Sequence, residues 1–294
     1  MFRIVLLGSG GSIPSPERCV SCVGIRCNGR VYTFDACEGL QRQMMRAKLS
    51  YFKTSAIFIS HLHPDHFLGI PGLVYTLQLS EYKDELHIIG PPGTKEVVNN
   101  LLLGNVPSFV KVKEFEGEGE VYACDEFRVS AFKVKHSKNS YGYVLEEREK
   151  LKFHEEKAKA LGINGRLFRE IEEKGHVEIN GKAIKLEDVA WKKAGKKIVY
   201  SGDTVYDENV VMNSKDADLL IMDATFTEEH RKDADEKMHA TAKDAAEIAK
   251  RAGCKKLVLT HISSRYKDIK GHVEEAKELF ENVMVAEDGL EITV

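Results

Sequence analysis

Apolar residues recur along this chain in short runs separated by glycine, proline or charge, and the period of each run predicts its element. Residues 2–8, 20–27 and 30–35 read as strands. Asn28-Gly29 joins the last two and favours a tight hairpin, because both positions tolerate positive φ. A helix is expected over Glu38–Lys48, a strand at 55–60, a helix at 67–79 and a strand at 86–89. Thr94 is placed to cap a helix over about 95–103 with its hydroxyl. Strands are expected again near 110–115, 120–124, 127–135 and 141–146.

The texture changes at 147–175, where charge dominates and Gly162, Gly165 and Gly175 punctuate the run. Too few apolar residues remain for a buried face, so this stretch reads as two short helices on a projecting arm. Strands resume at 177–179, 183–186, 197–201 and 218–222. A helix at 241–252 starts behind Thr241, then come a strand at 256–260, a helix at 272–282 and a last strand at 290–293. Strands and helices thus alternate in two blocks. The fold class is α/β: two sheets packed together with helices outside, one domain over 1–294 with an insertion at about 147–190.

Chemistry enters at Ser60-His61-Leu62-His63-Pro64-Asp65-His66, just after the apolar run that ends at Ser60. In extended backbone alternate side chains share a side, so His61 and His63 can hold one cation while Asp65 and His66 turn to a second. Imidazole and carboxylate together suit Zn²⁺, with Mn²⁺ or Fe²⁺ possible. Three further ligands also follow strand-like runs: His136, Asp203 and His261. His239 follows Met238 in a polar loop. The count supports two ions: His61, His63 and His136 around one, Asp65, His66 and His261 around the other, and Asp203 between them. Two ions about 3.5–4 Å apart activate a shared water and suit hydrolysis of a phosphodiester, ester or lactam, not hydride or radical chemistry.

Composition narrows the setting. The chain has 294 residues, 43 % hydrophobic and 30 % charged, with net charge −3, so no global positive field draws nucleic acid. No apolar run reaches the roughly 18 to 20 residues that span a bilayer. No secretory leader is evident at the N-terminus, and a cytoplasmic protein is expected. The six cysteines then read as free thiols. Cys19, Cys22 and Cys27 fall short of a four-ligand pattern, and buried thiols are expected there.

The ligand pattern with His136, Asp203 and His261 resembles the metallo-β-lactamase superfamily, whose fold is an αββα sandwich with its metal site at one sheet edge. The run Ser60–Leu73, with Asp35-Ala36-Cys37-Glu38-Gly39, Gly202-Asp203-Thr204, Asp223-Ala224-Thr225-Phe226, Met238-His239-Ala240-Thr241 and Leu259–Tyr266, is similar to ribonuclease Z, the endonuclease that removes tRNA 3′ trailers. That resemblance implies two Zn²⁺ per subunit, a precursor tRNA substrate and a homodimer. It makes Asp65 a ligand that orients or deprotonates the attacking water, and His239 the group that protonates the leaving 3′ oxygen. Asp223 would orient His239 or a ligand from behind. Arg265, Ser263, Ser264 and Arg18 become substrate contacts, Arg265 through a guanidinium fork that matches phosphate. The products would be a tRNA 3′-hydroxyl and a trailer 5′-phosphate.

Two stretches depart from the family's pattern. The early loop reads Pro14-Ser15-Pro16-Glu17-Arg18-Cys19, with Pro16 where lysine is common and Cys19 where asparagine is common. The insertion sits where the family carries a tRNA clamp, but it lacks a Gly-Pro segment and mixes its basic residues with glutamates. The alternative function is a small-substrate metallo-hydrolase of the same fold: a phosphodiesterase, esterase or lactonase.

Overall fold

The computed structural model describes Met1–Val294 and divides into two compact units: residues 1–146 with 197–294, and residues 147–196. The first unit holds two seven-stranded sheets. In order across the first lie Glu291–Thr293, Arg3–Gly8, Cys22–Cys27, Arg30–Phe34, Thr54–Phe58, Leu86–Gly90 and Val110–Glu114. Across the second lie Val283–Val285, Leu257–Thr260, Leu219–Asp223, Lys197–Tyr200, Tyr141–Glu147, Phe127–Lys133 and Gly119–Ala123. Asn28 and Gly29 both take positive φ in the expected hairpin.

The sheets face each other over an aromatic core. The Phe34 ring stacks on Tyr143 at 5.5 Å and on Tyr200 at 5.4 Å, all fully buried. Helices cover the outer faces. Leu40–Arg46, Gly69–Leu79 and Thr94–Leu101 lie on the first sheet. Glu208–Asn213, Ala242–Ala252 and Lys270–Lys277 lie on the second. Ala242–Ala252 shows why: Ala245, Ala246, Ile248, Ala249 and Ala252 form one apolar stripe, and Thr241 accepts from the Asp244 amide in a reciprocal cap. This is the αββα sandwich.

Parallel pairing fixes where the loops converge. Thr54–Phe58 runs parallel to both neighbours, as do Leu219–Asp223 and Leu257–Thr260. The loops after Phe58, Tyr200, Asp223 and Thr260 therefore leave from carboxyl ends, where open α/β sheets place ligands. The Tyr143 hydroxyl donates to Ile59 O at 2.6 Å and Tyr141 N to Ser60 O at 3.0 Å, tying the two sheets together beside that edge.

Several expectations need correction. Thr94 does not cap its helix. Gly93, at φ 102°, holds the cap position, and Glu114 takes the amides of Gly93 and Lys95. The Thr94 hydroxyl donates back to Pro91 O instead. The late helix spans Lys270–Lys277 rather than 272–282, and a three-residue edge strand, Val283–Val285, follows it. Glu208–Asn213 and Arg231–Lys237 are helices without a long enough apolar period to announce them.

The second unit ends at Lys196 rather than near 190, and it is more than two helices. Glu155–Ala160 and Arg166–Lys174 are joined by two ribbons, Lys150–Phe153 with Ala190–Lys193 and His176–Ile179 with Lys182–Lys185. Ala158, Ile163, Ile171, Val177, Ile184 and Val189 make a small core of its own. Scattered over five short elements and a turn, these residues show no single period.

Candidate metal centre

The site begins with Asp35, which ends its strand at φ 59° and is fully buried. Its carboxylate accepts from the Ser60 amide at 2.7 Å and the Ser60 hydroxyl at 2.8 Å. This fixes the chain as it leaves Thr54–Phe58. His61 and His63 then extend to one side, and Pro64 opens a one-turn 3₁₀ helix, Pro64–His66, that swings Asp65 and His66 to the other. His61 Nε2 lies 2.9 Å from His63 Nδ1, and His136 Nε2 lies 3.1 Å from the same atom. Asp65, His66, Asp203 and His261 form the second group, with ligand atoms within 4.8 Å of one another. Asp203 Oδ2 stands between the groups: 3.1 Å from His261 Nε2, 3.2 Å from His66 Nε2, 3.7 Å from His61 Nε2 and 3.9 Å from His136 Nε2.

Four of the ligands are held by a neighbouring group, which sets their orientation. His66 Nδ1 meets Asp35 Oδ2 at 2.7 Å, and the Tyr200 hydroxyl donates to the same oxygen at 2.7 Å. His261 Nδ1 meets the Thr225 hydroxyl at 2.7 Å, and that hydroxyl contacts Asp223 Oδ1 at 2.7 Å. His136 Nδ1 meets Met238 O at 2.8 Å. Asp65 Oδ2 accepts the Ser12 amide at 3.0 Å.

The residues fit a pair of divalent cations. His66 Nε2, His261 Nε2 and Asp203 Oδ1 are buried with no hydrogen-bond partner, and all belong to the second group. Unpartnered buried polar atoms are costly unless an ion takes them. The electrostatics agree. Burial, followed by the neighbouring His66, holds His61 far below its ordinary value, in the neutral form that ligates. Burial opposes charge on His66 too, yet Asp203 and Asp35 outweigh it and raise that imidazole well above the ordinary range. The pocket is short of positive charge. Nitrogen and carboxylate donors in these numbers suit Zn²⁺ and also Mn²⁺ or Fe²⁺.

Comparison with known proteins places the chain. The beta-lactamase superfamily domain model matches residues 30–154 and 186–262. Ribonuclease Z of Methanosarcina mazei is 44 % identical over 300 residues, covering 100 % of this chain and 98 % of that one. This chain belongs to the ribonuclease Z family. Ribonuclease Z of Archaeoglobus fulgidus is 40 % identical over 303 residues, again 100 % of this chain and 98 % of that one. Among solved structures, the short form of human tRNase Z superposes with TM-score 0.72 at 28 % identity, covering 99 % of this chain and 98 % of that one. YhfI of Bacillus subtilis superposes with TM-score 0.74 at 20 % identity, which speaks to the fold alone.

Around this ribonuclease Z-family centre the remaining residues divide. His239 joins the cluster. Its ring lies 4.8 Å from those of His261 and His136, and its Nδ1 meets Asp223 Oδ2 at 2.7 Å. Met238 turns the chain there at φ 59°, between helix Arg231–Lys237 and the Thr241 cap. Arg231 locks those two helices together through Glu228 and Asp244. Burial opposes charge on His239, but Asp223 prevails and pushes it up to about 9. Arg265 lies over the Phe226 ring, 4.8 Å from its centre, and is paired with Asp233. Ser263 is half-buried and aligned with Gly11, whereas Ser264 and Arg18 line a neighbouring cleft of about 750 Å³ with Ser15 and Tyr266. Arg18 itself turns inward, donating to Ser9 Oγ and Ala286 O. Sequence reasoning missed Asp35, Tyr200 and Thr225 as supports. Asp35 and Thr225 lie in segments that carry the family resemblance, without a role assigned to them there, and Tyr200 reads as core.

Proposed function

We propose that the chain is a metal-dependent endoribonuclease that removes the 3′ trailer from precursor tRNA. The observation that carries this reading is the convergence of seven ligand side chains, Asp203 between the two groups, with the His239–Asp223 pair beside them, in a member of this family that covers 98 % of its relatives' length. Two Zn²⁺ are the expected ions, and once bound they lower the pKa of a shared water and neutralise phosphate charge. His61, His63 and His136 would hold one, Asp65, His66 and His261 the other, and Asp203 both. Asp65 also orients or deprotonates the attacking water. Burial disfavours its charge, but contacts with His261 and His66 keep it ionised far below the usual carboxylate range. His239, kept cationic by Asp223, donates its proton to the leaving 3′ oxygen. Arg265 exchanges Asp233 for a phosphate oxygen, and Ser263, Ser264 and Arg18 line the path of the strand. The products are a tRNA 3′-hydroxyl and a trailer 5′-phosphate.

The Glu147–Lys196 unit supplies a surface of the right sign. In its first ribbon Lys150 pairs with Lys193 and Lys152 with Trp191, so these four share one face, and all are exposed. Cations flanking an exposed aromatic suit a nucleic-acid backbone and an unstacked base. A homodimer in the cytoplasm is the expected working form, a setting that fits six free thiols. No helix is long and apolar enough to cross a membrane. The small-substrate alternative is not favoured by the relatives.

The test is incubation of the purified protein with precursor tRNA and Zn²⁺ or Mn²⁺, with both product ends mapped. Asp65→Ala is expected to lower cleavage by about 10⁴-fold or more while the fold persists. Full activity in that variant overturns the assigned chemistry.

A further inference from the structure

We propose that Asp288, on the turn before the last strand, is a positioning residue for the metal centre. It pins the Ser9–Cys19 loop so that the loop's backbone holds Asp65 and His261 in register.

One carboxylate collects four donors. Asp288 Oδ1 accepts the Ser9 amide at 3.0 Å and the Ser9 hydroxyl at 2.7 Å. Oδ2 accepts the Cys19 amide at 2.8 Å and Gln43 Nε2 at 3.0 Å. Both ends of the loop are thus tied to a single group. Arg18 adds a second tie from Ala286 O to Ser9 Oγ.

What the loop carries is the centre itself. The Ile262 amide donates to Ser9 O at 3.0 Å, and Gly10-Gly11 aligns with Ile262-Ser263 as a short parallel bridge. Gly11 sits so close to the His261 ring that a Cβ there would lie 2.5 Å from Nδ1. Ser12 then adopts φ 57° and aims its amide at Asp65 Oδ2, 3.0 Å away. A left-handed non-glycine residue costs energy and persists where its surroundings impose it. The imposed conformation puts a main-chain donor on a ligand carboxylate, which fixes the orientation of that carboxylate within the cluster. From Asp288 to Asp65 the path is Ser9, two glycines and Ser12.

A role confined to fastening the C-terminus is already filled by other groups. Glu291–Thr293 pairs with Arg3–Val5, and Glu291 is ion-paired to Arg3. Four donors from the loop and Gln43 are not needed for that.

This inference rests on the reading of the cluster as a metal centre, so its test reads cation binding directly as well as cleavage. Asp288→Asn keeps the shape but turns one acceptor into a donor facing a donor. Zn²⁺ retention against a competing chromogenic chelator is expected to weaken about 10- to 100-fold in Asp288→Asn, and kcat on precursor tRNA to fall by a similar factor with KM within about threefold. Glu291→Ala, a change in the same C-terminal segment that leaves the loop untouched, is expected to keep both. Folded Asp288→Asn protein with wild-type Zn²⁺ retention overturns the proposal whatever the tRNA result. Should Asp288→Asn fail to fold, Asp288→Ser, which retains an acceptor without the opposing donor, decides by the same two readouts. If the wild type binds Zn²⁺ and Asp288→Asn loses it, yet neither cleaves tRNA, the positioning role stands and the endonuclease reading falls.

Discussion

At the metal centre, polar and charged side chains are buried, four of the ligands are gripped by neighbouring groups, and ligand atoms that lack a partner face the cation positions. In the Glu147–Lys196 unit the charges lie in solvent and pair along helix surfaces, Lys159 with Glu155, Arg169 with Glu173 and Lys174 with Glu170. Such exposed pairs add little stability and are screened by salt. The contrast follows from the two tasks proposed for them. Chemistry at one phosphate needs donors fixed to a fraction of an ångström in low dielectric. Holding a long polyanion needs cations that are numerous, hydrated and adaptable. One region is over-determined, the other deliberately loose.

The sharpest way to probe the over-determined side is His239→Ala. It leaves the seven proposed ligands in place and removes the proposed proton donor beside them, so kcat should fall about 10²- to 10⁴-fold with cation content unchanged. Metal analysis on the same preparation separates this from loss of the ions, and a variant that kept wild-type kcat would strip His239 of its role. Asp35→Asn reaches one layer deeper. It replaces the acceptor behind His66 and opposite the Tyr200 hydroxyl, and cation affinity should drop about 10- to 100-fold. Equilibrium titration with Zn²⁺ reads this directly; an unaltered affinity would show that His66 orients itself.

The loose side should respond differently. Lys152→Ala, Trp191→Ala and Lys193→Ala together should raise KM for precursor tRNA about tenfold or more, leave kcat nearly unchanged, and flatten the dependence of binding on salt. Neither result would extend to a small model phosphodiester. A KM that stayed put would remove the ribbon face from the substrate path.

The same contrast explains what could be read from sequence. The ligands sit in dense, unusual spacings, His-x-His-x-Asp-His above all, because a cation dictates donor type and proximity. Supports such as Thr225 and Asp35 carry no such signature, since one hydroxyl or carboxylate at a strand end resembles any turn. The Ser12 amide is invisible altogether: it is backbone, aimed by its conformation. The inserted unit's core stayed hidden for the opposite reason, as Ala158, Ile171, Val177 and Ile184 each belong to a different short element. Thr94 shows a local rule overridden from afar, by Glu114 on a neighbouring strand.

The smallest expected functional effect concerns His272, which is buried and belongs to neither task. Its ring packs edge-on against Tyr266 at 4.6 Å, and neither nitrogen has a hydrogen-bond partner of good geometry. Burial lowers it to about 4, only partly offset by the backbone of Ala224 and Thr225, and Arg18 reinforces the shift. The folded protein therefore keeps this imidazole neutral, while the unfolded chain takes up a proton near pH 6.5. Stability from this residue is full above pH 6.5 and is lost as the pH falls from there toward 4, because the unfolded state then binds the extra proton. The loss is bounded at about 3 kcal/mol by the size of the shift. The metal-centre cluster carries titratable groups of its own, so the informative quantity is a difference. In chelator-treated protein, urea unfolding at pH 7 and pH 4.5 should show a steeper loss for wild type than for His272→Leu, whose side chain does not titrate. Equal losses would show that His272 contributes nothing to the acid sensitivity of the fold.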